Sequence, residues 1–578
     1  MATVAPHEAR DETRPAKRTI AALWEQAAAG GRTGPAYLVE EPSGWREVAW
    51  HEAARRVEEL AFGLLALGIR KGDAFGILAP TCLEWVLADL ALAHIGAVVA
   101  PIFPNSSKAD TAYMLDLVDA VGVFVDDDLT ELAPPLRHVG RFGDLAELEE
   151  RGRRFRDEHP EALRDAEAAV EEDDLFTYIY TSGTTGPPKA CMIRHRNYFE
   201  MATTVDRVEE FTVGDDVMLL YLPLAHNFGR LLHLLGAYVG YTIAFLRDPL
   251  RTAEVLPEVR PTVLPSVPRL YEKVHTRIKA QMDEASGVRR RLIDWALRTG
   301  YAASPYKCRG ERLPPVLAAR HRLADRLVYR KIKQRLGGRL RIGISGAAPL
   351  GEEIARFFHA LDILILEGYG LSECTTACSV NRPGRVKFGT VGPPLPGFEV
   401  RLADDGEILI RSETVFAGYH RDDEATRAAL ESDGWLHTGD VGELDEDGFL
   451  RITDRKKDIL VTAGGKKVAP QNLENALKSS KLVSQALVVG DKRPYVAALI
   501  ALDDEEARGR APDELEAEVQ RIVDDVNRDR SRFEQIKRFV IVPRDFSAEE
   551  GELTPTLKLK RGVVEQHFRG EIEQLYSD

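Results

Sequence analysis

Cysteine is scarce: five in 578 residues, Cys82, Cys191, Cys308, Cys374 and Cys378. An odd, scattered set excludes a bridged secreted scaffold and fits a reducing compartment. Cys374 and Cys378 stand four apart, but no further Cys or His pair completes a zinc site beside them. Long uninterrupted apolar runs are missing too. The longest, Val86–Phe103 and Leu231–Leu246, are broken by Asp89 and His94 or by His233 and Gly/Tyr pairs. The second also falls short of the roughly 20 residues that a span needs. Both are expected to be buried elements, which leaves room for loose contact with a membrane. Met1 to Thr19 contains no apolar segment of an export signal. A cytoplasmic protein is expected, with peripheral membrane association left open.

An excess of positive charge is also absent. Lys and Arg number 77 against 92 Asp and Glu, a net charge of −15 with a pI near 5.6. Long-range attraction for nucleic acid or anionic lipid is therefore not expected, and an anionic ligand has to be held locally. What is present is ordinary globular composition, 44% hydrophobic and 29% charged, without internal repeats or low-complexity tracts. The length suits two to four domains.

From Thr19 to Asn105, helix and strand patterns alternate: Trp50–Leu67 helical, Ala74–Leu78 extended, Cys82–His94 helical, Ala97–Ile102 extended. Such alternation predicts a parallel sheet flanked by helices. Val121–Val125, Phe176–Tyr180, Val217–Leu222, Thr242–Phe245 and Leu340–Ser345 read as further buried strands, with helices at Asn197–Val208 and Leu270–Glu284. The charged stretch Glu149–Asp174 reads as a solvated helix and loop. Beyond Pro394, short alternating strands follow turn signals such as Ala403-Asp404-Asp405-Gly406 and Asp445-Glu446-Asp447-Gly448, which predicts a small antiparallel sheet or barrel. Leu515, Val519, Ile522 and Val526 make an amphipathic surface helix within Asp503–Arg530. The expected class is α/β. Layered α/β sheets with a β subdomain at about 395–453 would fill residues 19–454, hinged to a small α+β domain at 455–578.

The most informative run is Tyr180-Thr181-Ser182-Gly183-Thr184-Thr185-Gly186-Pro187-Pro188-Lys189, directly after the strand Phe176–Tyr180. Glycines let the chain wrap a ligand, hydroxyls and amides donate, and Lys189 adds a compact positive charge, a set suited to a polyphosphate. It is not a Walker A loop, because two prolines separate Gly186 from Lys189 and no hydroxyl follows. Taken alone, such a run is more often simply a polar turn after a strand.

Four more motifs follow in order: Tyr369-Gly370-Leu371-Ser372-Glu373, Thr438-Gly439-Asp440, Asp454-Arg455 and Pro555-Thr556-Leu557-Lys558. With the first, they resemble the adenylate-forming superfamily of acyl-CoA synthetases, peptide-synthetase adenylation domains and beetle luciferases. Asp433–Asp440 followed by Asp454–Asp458 resembles the fatty acyl-CoA synthetase signature, and Leu222–His226 and Pro265–Arg269 resemble its long-chain branch. The likeness covers roughly Trp50 to Arg561. It departs from the branch at Asn227, where an apolar or aromatic residue is usual; at Leu557 much of the superfamily has glycine, though the long-chain branch tolerates leucine.

The resemblance implies roles. Thr181 and Glu373 would hold Mg²⁺, and Ser182, Gly183, Thr184, Thr185, Gly186 and Lys189 the phosphates of ATP. Gly346, Ala347, Ala348, Gly368, Tyr369 and Gly370, followed by Ser372, would shape the adenine slot. Asp440 and Arg455 would take the ribose hydroxyls. Lys558, with Lys560 as fallback, would enter the site during adenylation, and Asp454 would be the hinge. Gly464, Gly465 and Lys466 would meet coenzyme A. Lys456, Lys457, Lys466 and Lys467 would attract its phosphates or simply form a solvated basic face. His226 is either a satisfied core histidine or a group beside the reacting carboxylate, with an acyl tunnel starting near His226–Gly229. The implied activity is ligation of a fatty acid, long-chain by its branch, to coenzyme A through an acyl-adenylate. Its rivals are a ligase loading a carrier protein, a non-catalytic nucleotide or acyl-adenylate sensor, and a light-emitting oxygenase. Monomer and homodimer both stay open.

Overall fold

The computed structural model describes residues 17–181, 187–204, 216–528, 530–547, 549–554 and 559–577. A six-stranded sheet runs in the order His138–Arg141, Gly122–Val125, Ala74–Leu78, Val98–Ile102, Leu175–Thr181 and Lys189–Arg194. All its pairs are parallel except the last. The inner strands Ala74–Leu78 and Val98–Ile102 are buried along their whole length, as expected for continuous apolar runs covered on both faces. An eight-stranded sheet takes Ser379–Val380, Leu364–Tyr369, Ile342–Ser345, Val263–Ser266, Val217–Leu220, Thr242–Phe245, Tyr37–Glu41 and Gly44–Val48, antiparallel only at its two ends.

One apolar core joins the two sheets. It includes Phe75, Val99 and Phe176 from the first, Leu219, Ile243 and Val263 from the second, and the helices Ile20–Ala29, Leu83–His94 and Asn227–Val239. Within it lies a fully buried ion pair. Arg230 donates through Nε to Asp89 Oδ2 at 3.0 Å and through Nη2 to Asp89 Oδ1, and its guanidinium lies 4.2 Å over the Phe176 ring. Burial pushes the Asp89 carboxyl up, against the pull of Arg230.

The predicted alternation holds with small shifts: the strand expected at Val217–Leu222 ends at Leu220, and the one expected from Leu340 starts at Ile342. The helix expected at Asn197–Val208 runs His195–Thr203, and the end of the expected range lies outside the described residues. The reading of Glu149–Asp174 as solvated needs correction. The helix Leu145–Glu158 packs so tightly on Trp50–Ala66 that a Cβ on Gly152 would sit 1.9 Å from the Glu59 carbonyl oxygen. The acids that looked solvated are paired there: buried Glu149 takes Arg56 at 2.8 Å, while Arg153 reaches across to buried Glu59 at 2.7 Å.

Glu399–Leu402, Glu407–Arg411, Leu436–Leu444 and Leu450–Arg455 form the predicted antiparallel sheet. After it come a two-stranded hairpin, Leu460–Val461 with Lys467–Val468, and a three-stranded sheet with helices that include Pro512–Asn527. That helix buries Val519 and Val523 and packs Leu515, Ile522 and Val526 against the same core, as its periodicity predicts.

Candidate active site

Leu175–Thr181 and Lys189–Arg194 pair as an antiparallel hairpin with Thr181 opposite Lys189. Its tip, Ser182 to Gly186, lies outside the described residues. Lys189 Nζ sits 3.0 Å from Asp422 Oδ2 and 5.2 Å over the Tyr419 ring. Tyr419 Oη in turn donates to Glu373 Oε1 at 2.7 Å, which ties the hairpin to the second motif. Burial and the neighbouring Glu373 carboxylate push the Tyr419 hydroxyl far up, so it remains a donor.

Glu373 stands in a short helical turn, Ser372–Cys374, after the strand Leu364–Tyr369. The chain reverses there because residue 370 is glycine: a Cβ would lie 1.6 Å from the Thr376 carbonyl oxygen. Tyr369 Oη donates to Asp440 Oδ2 at 2.7 Å, and Arg455 Nε lies 3.3 Å from Asp440 Oδ1. Asp440 and Arg455 are register partners on adjacent antiparallel strands, so fifteen residues of sequence close into one carboxylate–guanidinium pair. Asp440 is buried and Arg455 half-exposed. Gly346, Ala347 and Ala348 follow the strand Ile342–Ser345, with Ala347 at a left-handed φ of +69°. That is a strained value for a residue with a Cβ. Beside them, burial pushes the Glu367 carboxyl up to about 8.

His226 caps the helix Asn227–Val239, its Nδ1 accepting from the Phe228 amide at 3.1 Å. An accepting Nδ1 places the ring proton on Nε2. Asn227, fully buried, accepts from Tyr198 Oη at 2.6 Å and donates to the Ser372 carbonyl at 3.3 Å. The start of this helix and the Glu373 turn therefore share one frame, one helical turn from the Arg230–Asp89 pair.

Lys189, Tyr419, Glu373, Tyr369, Asp440, Arg455, Gly346–Ala348, Glu367, His226 and Asn227 line one cavity of about 2100 Å³. Single-ligand sites are usually about 300–1,000 Å³, so this space suits more than one ligand. Met201 from the helix His195–Thr203 and Leu231, Leu232 and Leu235 from the helix Asn227–Val239 add an apolar part to its lining. Leu553, Thr554, Leu559 and Lys560 line the same cavity. Leu553 and Leu559 form an antiparallel bridge, and Lys558, next to Leu559 in sequence, lies outside the described residues. Asp454, at the end of its strand, accepts from the Gln471 amide through Oδ2 at 3.1 Å and from its neighbour Arg455 through Oδ1 at 2.7 Å. Burial pushes its carboxyl up to about 6.

The turn Gly464–Lys466 is exposed and stands off the cavity in this arrangement. Lys456 does not belong to a free basic face, because it pairs with Asp405 at 2.6 Å and Glu407 at 2.9 Å. Lys457 does line the cavity, and burial lowers its ammonium. Tyr419, Asp422 and Glu367 were not singled out from the sequence. Tyr419 and Asp422 follow no motif and reach the site through the pairing of Tyr419 with Cys191, while Glu367 carries no signal beyond its place in a strand.

The AMP-binding enzyme family matches residues 24–420, and the AMP-binding enzyme C-terminal domain matches residues 457–578. The chain is 38% identical to long-chain-fatty-acid–CoA ligase FadD15 of Mycobacterium bovis over 92% of this chain and 93% of that protein. It is 31% identical to human long-chain-fatty-acid–CoA ligase 1 over 93% of this chain and 83% of that one. The adenylation domain of a carboxylate reductase from Mycobacterium chelonae superimposes with a TM-score of 0.75 at 25% identity, over 98% of this chain and 92% of that one. This chain belongs to the AMP-binding enzymes, the adenylate-forming superfamily, within the family of the long-chain fatty acid–CoA ligases.

Proposed function

We propose that this protein activates a long-chain fatty acid with ATP, releasing pyrophosphate, and passes the acyl group from the acyl-adenylate to the thiol of coenzyme A. The observation that carries this reading is convergence. The ends of the phosphate-loop hairpin, the Tyr369–Glu373 turn, the Asp440–Arg455 pair and the Leu553–Leu559 bridge all line one cavity that also has an apolar part to its lining.

A carboxylate and ATP repel each other, so the site has to hold two anions together and offset charge at the α-phosphate. Lys189 and the donors of Ser182–Gly186 would hold the phosphates. Thr181 and Glu373 would hold Mg²⁺, which neutralises phosphate charge when bound. The fit rests on hard oxygen donors, with the Glu373 carboxylate already pinned by Tyr419. Asp440 and Arg455 would accept from and donate to the ribose hydroxyls. Tyr369, held by Asp440, would present its ring to adenine between Gly346–Ala348 and Gly368–Gly370. His226, its proton on Nε2, would donate beside the reacting carboxylate. The apolar lining of Met201, Leu231, Leu232 and Leu235 would take the alkyl chain, each buried CH₂ contributing about 0.8 kcal/mol.

The boundary between residues 19–454 and 455–578 falls at Asp454 in this reading. Rotation there would withdraw the Lys558 loop and bring Gly464, Gly465 and Lys466 to the cavity for coenzyme A. Five unpaired cysteines support a cytoplasmic setting. Fatty-acid-dependent exchange of pyrophosphate into ATP tests the first half-reaction and is expected to vanish in Lys558→Ala; undiminished exchange there would remove the lysine's role. Label from a doubly ¹⁸O-labelled carboxyl is expected in the released AMP, and its absence would sink the adenylate route. Acyl transfer to free coenzyme A, without a loaded carrier protein, separates this reading from a carrier-loading ligase.

A further inference from the structure

Lys189 lines the cavity, but its charge is already engaged: Nζ sits 3.0 Å from Asp422 Oδ2, and Asp422 itself stands outside the lining. The acid therefore acts on the cavity through the lysine.

Asp422 is held from several sides. It caps the short helix Asp423–Ala429, its Oδ1 accepting from the Ala425 amide at 2.9 Å. The segment leading to it runs along the lysine's own strand: the Ala417 amide donates to the Met192 carbonyl at 2.8 Å, Met192 to Gly418 at 2.9 Å, and His420 to Ala190 at 2.8 Å. Just before the cap, Arg421 takes a left-handed φ of +56°, and its guanidinium pairs with Asp119. The carboxylate is thus fixed relative to the backbone of Lys189, and the Ala425 amide together with the lysine keeps its pKa below the usual carboxylate range. The flexible partner is the long aliphatic stem of Lys189, whose ammonium lies 5.2 Å over the Tyr419 ring.

A pair this open to water adds little to folding, since its side chains are 43% and 35% exposed. Its consequence falls instead on a ligand that needs the same ammonium. A phosphate arriving at Lys189 has to draw the lysine from Asp422 and then lie near an unpaired carboxylate, and both costs weaken binding. The cap alone does not require a charge, because asparagine and serine serve that position about as well as aspartate.

We propose that Asp422 is a positioning residue that holds Lys189 at the cavity wall between turnovers and competes with phosphate for it, so that pyrophosphate is held loosely and leaves readily once formed. This role presupposes Lys189 as a phosphate ligand of the proposed reaction and sets the strength of that contact.

The test is calorimetric titration of the full-length protein with inorganic pyrophosphate and Mg²⁺, at low and at physiological ionic strength, with adenosine titrated alongside. Asp422→Asn keeps a capping acceptor and removes the charge. It is expected to bind pyrophosphate about five- to tenfold more tightly at low salt, with the gain shrinking as salt rises. Adenosine, which has no phosphate, is expected to bind parent and variant alike, whereas a merely structural disturbance at residue 422 would weaken both ligands. Asp423→Asn removes the same charge one residue on, from an exposed acid outside the lysine pair, and is expected to change pyrophosphate binding by less than about twofold. Unchanged thermal melting shows that the variants fold, and Asp422→Ser, which also caps, replaces Asp422→Asn if it does not. Pyrophosphate bound equally or more weakly by the variant, an equal gain in Asp423→Asn, an equal gain for adenosine, or no pyrophosphate binding by the parent overturns the proposal. Binding needs no turnover, so failure of the ligase reading is seen separately, as absence of fatty-acid-dependent exchange in the parent.

Discussion

Between Thr19 and Asp454 the side chains facing the cavity are backed by apolar cores that run under both large sheets, whereas from Lys457 onward the chain keeps two cores of its own. No apolar cluster among the described residues spans the two regions. They meet through polar contacts instead, such as Arg269 donating to the Ser484 carbonyl at 3.2 Å and the Gln471 amide donating to Asp454. One wall has to hold donors to within fractions of an ångström, which rigid packing achieves. In the proposed cycle the other has to come away, and a polar interface would let it do so at small cost.

The strongest challenge to the fixed wall is Arg230→Met, which strands Asp89 in the core without its partner. Loss of about 3–5 kcal/mol is expected in urea unfolding, with most of it recovered by adding Asp89→Leu. A loss below ~1 kcal/mol would mean that this pair does not hold the wall. Asp440→Asn acts next, at the surface of that wall. In the proposed reading it weakens a charge-assisted contact to the ribose worth about 1.5–3 kcal/mol, so the KM for ATP is expected to rise about tenfold to a hundredfold with kcat and melting little changed.

The joint itself should respond to pH. Burial raises the Asp454 carboxyl to about 6, above its ordinary value, so the arrangement seen here holds a proton that a released chain gives up at lower pH. Its advantage is full below the ordinary carboxyl pKa and is lost as pH rises through about 6. Asp454→Asn keeps an acceptor for the Gln471 amide but cannot ionise. Proteolysis around Lys456 and Lys457 is expected to quicken between pH 5 and pH 7 in the parent and to stay flat in the variant; identical profiles would show that another group governs the joint. The smallest effect belongs to Arg269→Ala, about 1 kcal/mol or less. Melting should not move, while cleavage at the same lysines should rise a few-fold.

The phosphate-loop and Tyr369–Glu373 motifs were legible because each sits where a strand ends and the chain turns, whereas Thr438–Asp440 lies within the strand Leu436–Leu444. Phe176–Tyr180 reads as a strand from its apolar run, and the Gly/Ser/Thr loop has to follow it. Tyr419 was not legible, since its value lies in reaching both Glu373 and Lys189, contacts that exist only once distant segments pair. Asn227 read as an oddity in an acyl pocket, yet it clamps Tyr198 to Ser372. Glu149–Asp174 read as solvated because charge was weighed without its partners Arg56 and Glu59. Net charge hides local imbalance in the same way: it is −15 over the whole chain but +11 over residues 287–335.

By itself the sequence determined the order of elements, the two kinds of sheet and the residue types able to handle a nucleotide, because periodicity and backbone preference act over a few neighbours. Only the tertiary structure decided which of those residues meet, which acids are paired and which cations stay free. Those outcomes depend on distances between segments up to several hundred residues apart, and burial changes the energy of a charge far more than its neighbours in sequence do.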